Sequence, residues 1–490
     1  MDKKLVFTPQ SEEEIFKIIE QAKGSQSSVH CFSGGFNWGY GGNAPIDSTS
    51  LQIDLTQMNK IISFDEHLGI LKIEPGVTQG QLEEFLISNN YDYYVPTNGA
   101  GKRGSIVGNA LERGFGIAPI QDHASSILSV RGILSDGSLY ESALSEIDSK
   151  LADCFTWGVG PQIDKLVTQS SWIIVTEMSI QLKRKHECTD VLLFTFDEKK
   201  LDRVMGMLRN LMSYDEVNLG SIKIFNRKQV IEKKESFIDK TFFSQDEWFM
   251  TIIIYSNSVT RSAVLKLLKE RIRKYINGKI TILNDSKIKR AISILGFLPR
   301  KWSQNPISKL NDLSQMLRLA QGFTSEVGYR ALDIGFDYQN SKPFDFDNFG
   351  KNLIWLSPIC PLDPQRAQEL INVLRKINIH PHFKFNTFTW TVLNQRTLAM
   401  VIPILYEKNG LVGEDDFWNW YKNIHLELKN HGFIPYRFHN NMMNFLKEEL
   451  LPKYSIHVKK IESALDPSSL ILKGRYFKRL TSKAINRMAS

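Results

Sequence analysis

Two stretches carry glycine at a density that points to backbone chemistry. The first is "SGGFNWGYGGNAP", Ser33 to Pro45, and the second is "TNGAGKRGSIVGNALERGFG", Thr97 to Gly116. A concave anion site needs several N–H groups aimed at one spot. The chain can turn them inward only through conformations that glycine tolerates. Gly34, Gly35, Gly39, Gly41 and Gly42 give the first loop that freedom directly after a strand, and Tyr40 places a phenol among them. A nucleotide pyrophosphate suits such a loop. Two commoner phosphate-binding patterns do not fit. No helix pattern follows the loop, as a GxGxxG fingerprint requires, and there is no GK[ST] of a Walker loop. Each glycine loop alone also reads as a plain turn. Two of them on one α/β layer can clamp a long cofactor from both sides.

Other chemistries have weaker support. Cys31, Cys154, Cys188 and Cys360 are scattered without a CxxC pair, and no HExxH or similar ligand cluster occurs. Reduced structural thiols and no metal are expected. His380, His382, His425, His431 and His439 are candidates for a pocket base. All five read as solvated or core-satisfied, with His439 singled out only for its closeness to Arg437. The net charge is +8, with basic clusters at 183–187, 269–275 and 473–480. No aromatics interleave with them on one basic face, so a solvated surface is expected rather than a nucleic-acid site. Docking to an acidic partner, such as a carrier protein, stays open on the charge.

The elements that must position the loops follow from periodicity. At 490 residues the chain suits two or three domains. "SEEEIFKIIEQAK" has a capping box at Ser11 and Glu14, an apolar stripe at Ile15, Ile18 and Ile19, and Gly24 as a stop. "SVHCF", "LQIDL", "IISF" and "GILKIE" read as strands, "TQGQLEEFLISNN" as a helix, and "ILSVRGILSDGSLYES" as a hairpin around Asp136-Gly137. Past the basic cluster near Lys183–His186, strands alternate with helices. The pattern predicts a sheet with helices on one face. "NLIWLSPI" reads as one strand. Helices near 414–431 and 438–451 are expected to lead to a short basic tail. No run of about 18 apolar residues suggests a membrane span. The opening "MDKKLVFTPQSEEE" lacks an apolar export segment, so a cytoplasmic protein is expected.

In this order, "SGGFNWGYGG", "GSIVGNALERGFG", "IQDHASSILSVRGILSDGS", "GVGPQIDKLVTQSSWIIVTE" and "LDPSSLILKGRY" resemble the vanillyl-alcohol oxidase and p-cresol methylhydroxylase family of flavoproteins. The likeness covers most of the first 185 residues and about the last 60, and the middle only in patches such as "WLSPI" and "NTFTW". The resemblance implies an α+β fold. A PCMH-type FAD-binding domain would be built from residues 1–187 and the C-terminal segment 433–490. A central α+β cap of antiparallel sheet and flanking helices would occupy 188–432. It also implies FAD cradled by Ser33, Gly34, Gly35, Phe36, Asn37 and Trp38 on one side. Gly104, Ser105, Gly108 and Asn109 would hold the other side, with Val175 beside the adenine and Arg475 near the ring or phosphates. "KGRY" departs from the commoner "PGK" or "PGR" by having Lys473 for Pro, a local effect.

For chemistry, the resemblance implies that Tyr40, with Tyr436 and Arg437 of "IPYRFHNN", holds a phenolate, and that Asp122 of "IQDHAS" lies near flavin N5. A phenol has a pKa of about 10, and a guanidinium with two hydroxyl donors favours its anion. An electron-rich phenolate drives hydride from the para benzylic carbon and leaves a quinone methide. Asp122 could take a proton or orient water, and its alternative role is a loop cap. His123 beside it is read as structural. Trp390 and Phe388 are read as core rather than pocket lining. Many relatives tether FAD through a His or Tyr near the position of Thr397. Here no His, Tyr or Cys stands between Phe383 and Leu405, so dissociable FAD is expected. The expected partner is a small phenolic substrate, free or carrier-tethered, and a homodimer follows by analogy. A dehydrogenase of 2-hydroxy acids or alcohols, with Tyr436-Arg437 as a carboxylate clamp, is an alternative. A catalytically inactive FAD-binding scaffold is another.

Overall fold

The computed structural model describes residues 6–214, 217–226, 248–297, 300–325, 351–377, 383, 389–407 and 413–477. Ser11 caps the helix Glu12–Gly24, its hydroxyl accepting from the Glu14 N–H at 3.4 Å. The buried stripe Ile15, Ile18 and Ile19 follows from the three- and four-residue spacing. It packs on a small parallel sheet ordered β1–β3–β2, formed by β1 (Val6–Phe7), β2 (Val29–Phe32) and β3 (Leu51–Asp54). Residues from the far end of the chain join this layer. The Val29 N–H donates to the Leu470 carbonyl and the Leu472 N–H to the Val29 carbonyl, both at 2.8 Å.

A second sheet is antiparallel. It holds β4 (Ile61–Asp65), β5 (Ile70–Ile73), β6 (Ile127–Leu134), β7 (Leu139–Glu141) and β8 (Ile173–Gln181), in the order β4–β5–β8–β6–β7. The hairpin at Asp136-Gly137 forms as expected. Gly137 takes a φ of +90°, and the Asp136 carboxylate accepts from the Ser138 N–H at 2.8 Å.

The third sheet has nine strands among the described residues. They are β9 (Cys188–Phe196), β10 (Asn218–Asn226), β11 (Trp248–Ser256), β12 (Thr281–Leu283), β13 (Lys351–Leu356), β14 (Pro358–Pro361), β15 (Thr389–Asn394), β16 (Thr397–Glu407) and β17 (Ile434–Pro435). The order is β12–β9–β11–β10–β15–β16–β14–β17, with β13 also on β16. One face buries Phe194, Ile224, Ile252, Trp390 and Met400 under the helices Leu201–Met212, Arg261–Arg273, Pro364–Ile377 and Glu414–Asn430. The expectation of helices on one face is corrected. Val191, Ile253 and Tyr255 on the opposite face pack with Ile288, Leu310 and Leu317 of the helices Asp285–Gly296 and Arg300–Ala320.

Three local readings change for backbone reasons. The second glycine stretch is not all loop. Ile106–Leu111 is helical because Ser105 supplies its N-cap, its Oγ accepting from the Gly108 N–H at 2.9 Å. "NLIWLSPI" divides at Ser357, since Pro358 has no N–H to continue the ladder. The expected helix over 438–451 is a 3-10 turn at Asn440–Met442, a short α segment at Met443–Phe445 and a π turn at Leu446–Leu450. Pro452 breaks the N–H ladder there and opens a further helix, Pro452–Leu465, where a tail was expected.

Candidate active site

Tyr40, Tyr436 and Arg437 come together although they lie some 400 residues apart. Three backbone bonds join their segments. The Trp355 N–H donates to the Gly39 carbonyl at 3.3 Å, the Asn440 N–H to the Tyr40 carbonyl at 3.1 Å, and the Tyr436 N–H to the Ser357 carbonyl at 3.3 Å. The break between β13 and β14 thus delivers Ser357 to the site, where its Oγ lies 3.4 Å from the Tyr40 hydroxyl. Glycine is required at the contact. At Gly41, with a φ of +111°, an added Cβ would stand 2.4 Å from Asn440 Nδ2, and at Gly39 it would stand 2.3 Å from the Trp355 ring.

The guanidinium of Arg437 lies over the Tyr40 ring, 4.1 Å from its centroid. Its Nη2 donates to Asn37 Oδ1 at 2.6 Å, and its buried Nε has no partner among the described residues. Burial raises the pKa of Tyr40, opposed by Arg437, Ser357 and Tyr436. Burial and Tyr40 together raise that of Tyr436. Both phenols therefore stay protonated at neutral pH and can donate, beside a cation, to an anion placed between them.

A residue the sequence reading missed organises this charge. Glu112 follows the helix Ile106–Leu111 and accepts from Arg475 Nη2 and, at 2.6 Å, from the Tyr476 hydroxyl. Arg437 Nη2 lies 3.9 Å away. Burial pushes its carboxyl up, but Arg475 and Arg437 outweigh that and hold it below the usual carboxylate range. Two buried guanidiniums share one carboxylate. Within "LERG" Glu112 carries no mark separating it from a surface glutamate. Only the buried tail, which brings Arg475 and Tyr476, reveals it.

The glycine loop has the features of a cofactor cradle. Gly34 and Gly35 take φ values of +80° and +72°. Among the described residues, the N–H groups of Gly34, Gly35, Phe36 and Asn37 donate no hydrogen bond. A run of unpaired donors on left-handed backbone is an anion nest. The second arm is fixed to the first, with Ser33 Oγ donating to Ser105 Oγ at 3.0 Å. A Cβ at Gly108 would come 2.8 Å from Ser33 Oγ, and one at Gly104 would come 2.7 Å from Gln79 Nε2. Arg475 Nε is buried without a partner among the described residues. This donor set fits the pyrophosphate and ring edge of FAD. Phe36 and Trp38 contact each other edge to face at 5.1 Å.

The other expected residues are placed as follows. Asp122 caps the turn His123–Ser126, accepting from the Ala124 N–H at 3.2 Å. Its loop begins at Phe115, whose ring meets Tyr436 edge to face at 6.0 Å. Asn109 pairs with Nδ1 of His123, and burial pushes that imidazole down to about 4. Val175 lies on β8 opposite Gly132, among core residues. Trp390 is core, and Phe388, His380 and His382 lie outside the described residues. His431 contacts Glu369 at the surface. His439 accepts from the Asn441 N–H at 3.1 Å. His425 is buried between Tyr421 and Phe438, with neither nitrogen partnered among the described residues. No described helix is long and apolar enough to cross a membrane.

Comparisons with known proteins bear on the fold and the cofactor. The FAD binding domain family matches residues 3–143. A 1'-carboxy-chondrochloren decarboxylase of Chondromyces crocatus is 24% identical over 96% of this chain and 90% of its own length. The flavoprotein subunit of a hydroxylating 4-cresol dehydrogenase of Pseudomonas putida is 29% identical over 35% of this chain and 33% of its own. The crystal structure of p-cresol methylhydroxylase with substrate bound superposes with a TM-score of 0.80 at 18% identity, covering 97% of this chain and 89% of that one.

Proposed function

Since the chain belongs to the PCMH-type FAD-binding flavoproteins, we propose that it oxidises the side chain of a para-substituted phenol held at Tyr40, Tyr436 and Arg437. It is an FAD-dependent oxidoreductase. The observation that carries the finer reading is the meeting of two phenols, Tyr40 and Tyr436, beside the Arg437 guanidinium, whose Nε has no partner among the described residues. Bound FAD would supply a hydride acceptor, and loss of hydride from the benzylic carbon turns the phenolate substrate into a quinone methide. Ser33–Trp38, Gly104, Ser105, Gly108, Asn109, Val175 and Arg475 would hold it. Tyr40 and Tyr436 donate hydrogen bonds to the phenolate oxygen, and Arg437 balances its charge. Together they keep the ring electron-rich until the C–H bond breaks. Asp122 orients water or takes a proton at the oxidised carbon. The division into residues 1–187 and 433–490 for the cofactor and 188–432 for the cap is part of this reading.

A second reading of the same site is supported by the decarboxylase, which matches over nearly the whole chain. Where the carbon next to the benzylic one carries a carboxylate, the quinone methide is an electron sink. CO2 leaves, its bonding pair forms an alkene, and the ring returns to phenolate. The oxidation and the binding residues are unchanged. The test common to both is Arg437→Ala. It is expected to abolish flavin bleaching by 4-alkylphenols under anaerobic conditions while leaving FAD content within twofold. Loss of flavin instead would reassign Arg437 to the cofactor, and undiminished bleaching would end the phenolate reading.

A further inference from the structure

Lys223 stands in the middle of β10, between Thr251 of β11 and Thr391 of β15. Its chain neighbours Ile222 and Ile224 are 1% and 0% exposed in the helix-covered core. Strand alternation puts Lys223 on the opposite face. There it is half-buried. It forms no hydrogen bond or ion pair among the described residues, and burial alone acts on its pKa, lowering it. Two residues along the same face, Phe225 and Phe249 stack at 4.6 Å and 12°. The face therefore offers one unneutralised ammonium, two threonine hydroxyls and an aromatic wall. An ammonium kept there without an acid is unfavourable until an anion joins it.

The row that contains Lys223 leads to the phenol site. It runs from Thr391 through Ala399 of β16 to Ile359 of β14. Ile359 is two residues from Ser357, which meets both Tyr40 and Tyr436. On the other side Ile253, on the same face, shares a cluster with Ala118. Ala118 belongs to the loop whose Phe115 touches Tyr436. Lys223 thus lies between two points where this face meets the walls of the site. It is three strand spacings, roughly 14 Å, from β14. That suits the far end of a side chain rather than the ring.

We propose that Lys223, flanked by Thr251 and Thr391, binds a carboxylate carried on the para side chain of the phenolic substrate. This deepens the phenol reading and rests on it. The test uses FAD-loaded protein and two probes of equal length, 3-(4-hydroxyphenyl)propanoate and its neutral amide, with binding read by calorimetry and bleaching by absorbance. The wild type is expected to bind the acid at least tenfold more tightly than the amide. Lys223→Met should bring that ratio to within twofold of one, and Lys223→Arg should restore most of it. Equal binding of acid and amide by the wild type overturns the proposal, and so does an unchanged ratio in Lys223→Met. The wild-type comparison is decisive even if a variant fails to fold. If neither probe nor 4-ethylphenol bleaches the flavin, the phenol reading fails, while the acid-to-amide ratio still judges Lys223.

Discussion

Replacing Glu112 by Gln should make the protein less stable and its phenolate binding tighter. The substitution keeps the shape but removes the one carboxylate shared by Arg475, Tyr476 and Arg437. Breaking a buried ion pair by removing one partner costs about 3–5 kcal/mol, and that is the expected loss in the flavin-free protein. The effect on a ligand has the opposite sign. A phenolate resting on Arg437 would face the Glu112 carboxylate across that guanidinium, roughly 7 Å away. At an effective dielectric constant near 20, two such anions repel by about 2 kcal/mol. Removing the repulsion should tighten binding of an unreactive phenolate by about 30-fold. It should also lower the apparent pKa of the bound phenol by about 1.5 units. The assay is a titration of the flavin spectrum with a phenol lacking a benzylic hydrogen, from pH 6 to 9, beside chemical denaturation of both proteins. Because Glu112 is held below its unfolded pKa, its stabilisation is present above about pH 4.5 and is lost as pH falls through the folded value. Glu112→Gln should lack that component. A folded Glu112→Gln protein that binds the phenolate more weakly would refute the electrostatic reasoning and make Glu112 a positioner of Arg437.

Three further outcomes follow from the geometry. Burial pushes His425 down to about 3, so between about pH 6.5 and 3 the unfolded chain binds a proton that the folded one refuses. His425→Phe should therefore flatten the fall of stability with acidification by up to about 1.4 kcal/mol per pH unit, measured by denaturation at pH 6 and 4; an unchanged slope contradicts it. Gly41→Ala adds a methyl 2.4 Å from Asn440 at a φ of +111°. It should cost about 2 kcal/mol or more and impair phenol binding, whereas Gly99→Ala, whose added methyl meets nothing within 4 Å, should be close to neutral in the same melts. Acid precipitation of the yellow protein should leave the colour in the supernatant, because Thr397 offers neither an imidazole nor a phenol for a tether; a yellow pellet would locate the attachment elsewhere.

Local signals were legible where one short segment decides its own structure. Ser11 caps its helix, Asp136-Gly137 turns its hairpin, and the glycines of the first loop take left-handed backbone. The pairing of Tyr40 with Tyr436 and Arg437 spans nearly the whole chain, and only the family resemblance pointed to it. Glu112 and Lys223 were invisible because nothing adjacent to either in sequence signals burial. Glu112 reads as a helix-end charge, and Lys223 reads as the solvent side of an amphipathic strand. The helices on the second face of the large sheet were missed for the same reason. β11 is apolar on both faces, with Ile252 and Ile253 both buried, and a continuous apolar strand does not say what covers it.

The charge inventory of the site also explains its dependence on both ends of the chain. Arg437 comes from the strand turn after β17, Arg475 from the segment paired with Val29, and Glu112 from the second glycine arm. Arg475 is buried and Arg437 and Glu112 are largely so, with a surplus of one positive charge among the three. Like charges in a poorly solvated site repel, so this arrangement holds only while packing fixes it from several directions. The surplus is relieved when an anion enters, and both neighbouring phenols are kept in the donating form. An anionic guest therefore gains two hydrogen bonds and a counter-charge at once. A neutral alcohol at the same place would leave the guanidinium pair unrelieved. The electrostatics thus favour an anionic guest, an ionised phenol or a carboxylate, over a neutral alcohol. They do so through Arg475 and Glu112 as much as through the residues that would touch the substrate.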